Sequence, residues 1–121
     1  MKIILPLPPN LANSKFKHWA AKKQAKDAYV RTVVAVSQNA KMHTLTPWFV
    51  VPRYQYPVTV KYHFGLWNKS DEDNLIARGK WALDAIVTNG ILIDDSPDYV
   101  QIARPTQEID RKWQRLEVEI T

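Results

Sequence analysis

The clearest pattern in the chain is an alternation. Val58, Val60, Tyr62, Phe64 and Leu66 are apolar, and Thr59, Lys61, His63 and Gly65 stand between them. A period of two over nine residues predicts a strand with one face buried. Two other stretches follow the helical period. Between residues 15 and 41, Ala25, Tyr29, Val33, Val36 and Ala40 share a face, and Lys22, Lys23, Lys26 and Arg31 lie opposite. From about 73 to 89, Leu75, Ile76, Gly79, Ala82, Leu83, Ile86 and Val87 form an apolar stripe, and Gly90 suits the position just past a helix end.

Shorter signals complete the order. Residues 2–5 read as a strand stopped by Pro6, Pro8 and Pro9, hence one that ends there or lies at a sheet edge. Residues 42–57 carry Pro47, Pro52 and Pro57 among Trp48, Phe49, Tyr54 and Tyr56, and read as a loop that packs some of these rings. Residues 91–93 are a short strand or extended link. Residues 99–104 and 113–120 read as an antiparallel pair, the second with Gln114, Leu116, Val118 and Ile120 opposite Arg115, Glu117 and Glu119. The expectation is an α/β (α+β) domain, a small mixed β-sheet packed with two main helices in the order β-α-β-α-β-β.

At 121 residues and 14.0 kDa, with 45% apolar and 24% charged residues, the chain reads as a single folded domain over residues 1–121. It has no cysteine, which excludes disulfides, thiolate metal sites and cysteine nucleophiles and suits a reducing compartment. No apolar run approaches a membrane span, and the prolines break the N-terminus as a signal-peptide core, so a cytoplasmic protein with no membrane partner is expected. The net charge of +5 is uneven: residues 1–43 hold eight Lys/Arg against Asp27 alone. That arm reads either as a solvated basic helix or as a polyanion-facing surface.

The acids cluster instead in Asp71-Glu72-Asp73-Asn74, at a strand-to-helix junction, and in Asp94-Asp95, beyond that helix. Gathered carboxylates repel, and a hard divalent cation such as Mg²⁺ is one natural compensation. Capping of the helix and a turn before Pro97 are the plain alternatives. A connection that returns toward the helix start would bring the two groups together. Lys80 falls about 20° short of two full turns beyond Asp73, on the same helix face. A lysine there can lean back toward the carboxylates, or form an i,i+4 pair with Asp84.

These residues resemble the RusA-type Holliday-junction resolvases, small crossover-junction endodeoxyribonucleases. The resemblance rests on Asp71-Glu72-Asp73-Asn74-Leu75, Lys80, Leu83-Asp84-Ala85-Ile86 and Gly90-Ile91-Leu92-Ile93-Asp94-Asp95, with weaker support from Leu5-Pro6-Leu7-Pro8-Pro9-Asn10 and the terminal strands. In the family pattern the lysine stands about one helical turn nearer the Asn; Arg78 and Lys69 are the other cations close to that position. The resemblance implies Mg²⁺-dependent hydrolysis of DNA at four-way junctions by a homodimer in a bacterial or prophage setting, with Mn²⁺ able to replace Mg²⁺. It implies Asp71, Asp73 and Asp95 as catalytic metal-binding carboxylates, with Asp94 beside them, and Lys80 as the catalytic cation. Lys15, Lys17, Lys22, Lys23 and Lys26 then become candidate DNA contacts, and His18 a phosphate contact or an exposed residue. The tryptophans other than Trp19 are expected in the core or at the dimer contact, and His43 and His63 have no assigned chemistry. A non-catalytic DNA-binding module of the same fold and a flap or branched-DNA nuclease without junction preference are the competing readings.

Overall fold

The computed structural model describes residues 2–9, 19–44 and 57–121. The elements run β1 (Lys2–Leu5), α1 (Trp19–Thr44), β2 (Val58–Leu66), α2 (Glu72–Thr88), β3 (Val100–Ile102), β4 (Thr106–Ile109) and β5 (Arg115–Ile120). The expected order is present with one strand added: β3 falls within the expected strand 99–104, and β4 lies in the stretch read as the connection to the last strand. The sheet is mixed, and β2 is its centre. β5 lies antiparallel on one side of β2 and carries β1 antiparallel at the edge; β3 and β4 run parallel to β2 on its other side.

The sheet therefore corrects one expectation. Residues 99–104 and 113–120 are not paired with each other, because β2 separates them. The alternation of β2 makes it the strand best able to occupy the middle, with Val58, Val60, Tyr62, Phe64 and Leu66 all buried. Leu116, Val118 and Ile120 of β5 belong to the same core. The segment 91–93 forms only an isolated bridge at Leu92, with Ile91 and Leu92 buried.

α2 packs on the sheet face that carries Tyr62 and Phe64, and α1 packs on α2. Tyr29 and Val33 carry the buried stripe of α1, and the Tyr29 hydroxyl donates to the Pro6 carbonyl at 2.8 Å. The tight approach of α2 to β2 depends on Gly79, where a Cβ would meet the Tyr62 ring at 2.8 Å. The stripe on α2 differs from the expected one at three residues. Ile76 is 47% exposed, whereas Trp81 and Arg78 are buried. Arg78 folds back to donate from Nε and Nη2 to the Pro8 carbonyl at 3.0 and 2.8 Å, tying the proline-rich end of the first strand to α2.

The end of α2 sets where the second acidic pair lies. Gly90 takes φ +80°, Ile91 N–H donates to Ile86 O and Gly90 N–H to Val87 O. This is the Schellman arrangement, which only a residue at ease with positive φ closes cheaply. The chain turns sharply there and seats Ile91 and Leu92 in the core, so Asp94 and Asp95 stay beside the last turns of the helix.

Candidate functional site

The sequence-predicted site residues fall in two places. Asp71 is the residue before the first turn of α2, in extended conformation with φ −68° and ψ 148°, and its side chain makes no capping hydrogen bond. Asp73 lies in the first turn, exposed. Among the described residues neither carboxylate has a hydrogen-bond or ion-pair partner: Asp71 holds the N-cap position without a side-chain capping bond, and Asp73 stands in the first turn, where an acid suits the helix dipole. The neighbours are engaged. Glu72 pairs with Arg104 at 3.0 Å. Asn74 is buried and donates to Ser70 Oγ at 2.7 Å. Gln107 of β4 clamps the Ser70 backbone from both sides, accepting from its N–H and donating to its carbonyl, each at 2.9 Å. The acidic turn is thus held rigidly while its two aspartates stay free.

Asp94 and Asp95 are elsewhere. The Asp95 carboxyl is held above its ordinary range, first by desolvation and then by hydrogen bonds with Asp94 and Asp84. Asp84 also pairs with Lys26 of α1, and Lys26, Asp27, Asp84, Thr88 and Asp95 line one shallow depression between the helices. Asp84 lies eleven residues beyond Asp73 on the same helix, a rise of about 16 Å. Within one chain, the expected meeting of Asp71, Asp73 and Asp95 does not occur. The Schellman turn is the reason, since it holds the second pair at the far end of α2.

The cations sort in the same way. Lys80 is exposed and, among the described residues, has no ion-pair partner; Asp84, its alternative i,i+4 partner, is taken by Lys26. Arg78 is spent on Pro8 and is a structural residue; burial pulls its guanidinium below its ordinary value. Of the basic arm, Lys22 and Lys23 are exposed, and Lys26 is turned to α2. Lys15, Lys17, His18 and the ring-rich residues Trp48, Phe49, Tyr54 and Tyr56 lie outside the described residues. Trp81 is a core residue, but Trp67 and Trp113 are 55% and 54% exposed, each beside an arginine: Arg111 and Arg115 respectively.

A third group was hidden in the sequence. The sheet face away from the helices carries His63 on β2, Glu108 on β4 and Arg115 and Glu117 on β5. Arg115 donates to Glu108 Oε1 at 2.6 Å, to Asp110 Oδ2 at 2.9 Å and to Glu117 Oε2 at 2.9 Å. Lys2 of β1 adds an ion pair to Glu117 Oε1 at 2.6 Å. These cations hold the Glu117 carboxyl below its usual range, the Lys2 hydrogen bond being the larger influence, and His63 and Arg115 do the same for Glu108. His63, Glu108 and Glu117 bring their ligand atoms within 4.8 Å of one another, the one such group of three among the described residues. That donor set can coordinate a metal ion. The one sequence signal was Gly65, a residue without a side chain at an outward position of the strongest strand.

The chain matches no family model and no curated protein.

Proposed function

We propose that the chain is a Mg²⁺-dependent endonuclease that cuts branched DNA, with the four-way junction as its substrate and a homodimer as its working form. The observation that carries the reading is the pair Asp71 and Asp73. Two carboxylates stand exposed at the start of α2, without partners among the described residues, in a turn that Gln107 and Asn74 hold in place. Unpaired carboxylates on a rigid turn are fitted to a hard cation. The motif around them carries the resemblance to RusA-type resolvases.

Asp71 and Asp73 would hold the ion, which when bound neutralises the phosphodiester and activates water. Mn²⁺ offers the same oxygen-ligand chemistry. Lys80 shares a helix face with Asp73 and has no competing carboxylate among the described residues, so it would be placed to meet charge developing on the phosphate. Lys22 and Lys23 contribute phosphate contacts that position the DNA without reading its sequence. A two-fold dimer would present two such sites to the two strands of a junction.

The separation of Asp95 from Asp71 and Asp73 favours a second reading, a DNA-binding module that does not cut. Cleavage and gel-shift binding, measured in parallel on Asp71→Asn and Asp73→Asn, separate the two. The nuclease reading expects binding to persist and cleavage to vanish in each variant. A wild-type chain that binds junctions in Mg²⁺ without nicking them supports the second.

A further inference from the structure

His63 Nε2 lies 3.2 Å from Glu108 Oε1. Two lone pairs do not face each other at that distance without a proton or a cation between them. The other ring nitrogen is engaged: His63 Nδ1 is 2.7 Å from Thr106 Oγ1. When Nδ1–H donates to that hydroxyl, Nε2 keeps its lone pair and is aimed at the carboxylates. An outer hydrogen bond of this kind is what orients an imidazole ligand and fixes its tautomer.

The carboxylates are prepared in a complementary way. Arg115 takes one oxygen from each: Oε1 of Glu108, the same oxygen that faces His63 Nε2, and Oε2 of Glu117. It fixes both groups and leaves the second oxygen of each. Glu108 Oε2 has no partner among the described residues. Among the described residues Glu117 Oε1 is held only by Lys2, whose side chain is 59% exposed. His63 and Glu117 are direct cross-strand partners, and Glu108 sits opposite Gly65, two residues along the same strand as His63. The three ligands thus come from three hydrogen-bonded strands. A cavity of about 160 Å³ opens beside them, lined by Lys2, Lys61, His63, Thr106, Glu117 and Glu119, with room for an ion and its waters.

We infer that this face of the sheet is a second metal site, in which His63, Glu108 and Glu117 bind a borderline divalent transition metal such as Zn²⁺ and Lys2 is the counter-ion that the metal displaces. One imidazole nitrogen with two carboxylate oxygens suits Zn²⁺, Co²⁺ or Mn²⁺ better than Mg²⁺ or Ca²⁺, which prefer all-oxygen sites. The ion would cross-link β2, β4 and β5. It is independent of the acidic turn on α2 and does not rest on the nuclease reading.

Calorimetric titration of the metal-free full chain with ZnCl₂, with the Co²⁺ absorption spectrum and the thermal midpoint as further readouts, tests it. The wild type should bind one ion per chain and melt higher with Zn²⁺ present. His63→Ala should weaken binding by at least about tenfold and abolish the thermal shift. Loss of an orienting partner typically costs 10–100-fold, so Thr106→Val should weaken binding by about tenfold or more and Thr106→Ser should restore it. Lys2→Met should bind as tightly or more tightly. The double variant Asp71→Asn/Asp73→Asn should bind Zn²⁺ like the wild type. Absence of saturable binding by the wild type would overturn the site. So would unchanged binding in His63→Ala with native circular dichroism, loss of binding in Lys2→Met, or loss in the Asp71→Asn/Asp73→Asn double variant.

Discussion

The guanidinium of Arg115 occupies the space that a side chain at Gly65 would need: a Cβ there would stand 2.3 Å from Arg115 Nη1 and 3.3 Å from the Trp113 carbonyl. Arg115 cannot yield freely, because Glu108, Asp110 and Glu117 hold it. Gly65→Ala is therefore expected to destabilise the fold by about 1–3 kcal/mol, the usual range for overpacking. Denaturant unfolding measures it. In an Arg115→Met background the same substitution should cost clearly less, since the clash is with the arginine. Equal costs in the two backgrounds would show that the glycine serves some other purpose.

Arg78 makes a second structural prediction. Its two hydrogen bonds end on the carbonyl of Pro8, which is itself fully buried. Arg78→Ala leaves that acceptor unsatisfied and should cost about 1–3 kcal/mol. Lysine lacks the two-pronged geometry and should rescue only part of the loss. An Arg78→Ala chain of wild-type stability would contradict the tie between the first strand and α2.

The burial of Arg78 also marks where the sequence stopped being legible. The strand at 58–66 and both helices were readable because each shows one apolar face to one core, and Gly90 was readable as a helix end. Strand pairing was not, since the period of β5 is the same whether its neighbour is β3 or β2. By spacing Arg115 and Glu117 stand opposite the apolar face of β5; they are buried all the same, paired with Glu108 and Asp110, seven and five residues before Arg115, and with Lys2 from the far end of the chain. Ile76 belonged to the stripe by spacing and is exposed because α2 turns Trp81 and Arg78 inward instead. For the acids, the residue types suggested a cation and Gly90 marked the helix end, but where Asp95 lies beyond that turn depends on Ile91 and Leu92 entering the core.

Tyr62 carries a hydroxyl buried without a partner, and burial raises its ionisation above the ordinary phenol range, as it does for Tyr29. The unfolded chain loses these protons near the ordinary value of 10.0 while the folded chain keeps them. A raised folded value means that the stability is fully present below that pH and is lost as pH rises beyond it, by up to about 1.4 kcal/mol per pH unit for each tyrosine. Tyr62→Phe should flatten this alkaline decline. It should also leave stability at pH 7 unchanged or raised, because an unsatisfied buried group is removed. A marked loss of stability at pH 7 would show that the hydroxyl has a role in the fold.

Lys22 and Lys23 are exposed on α1 with no ion-pair partner among the described residues, and Lys26 is held by Asp84. Lys22→Ala and Lys23→Ala should each weaken junction binding and make the plot of log K against log[salt] shallower by roughly one unit, the share of one neutralised phosphate. Lys26→Ala should change that slope less. Gel-shift titrations over a range of salt concentrations measure all three. Slopes unaffected by Lys22→Ala and Lys23→Ala would mean that this face of α1 meets no phosphate.

The nuclease reading stands most directly on one cleavage assay. A four-way junction, a flap and a linear duplex of matched sequence are incubated with the chain in Mg²⁺ and in EDTA, alongside Asp73→Asn. The account predicts paired nicks in the four-way junction in Mg²⁺, far slower cutting of the flap and duplex, no cutting in EDTA and none by Asp73→Asn. An intact junction in Mg²⁺, or cutting by Asp73→Asn at the wild-type rate, would contradict it.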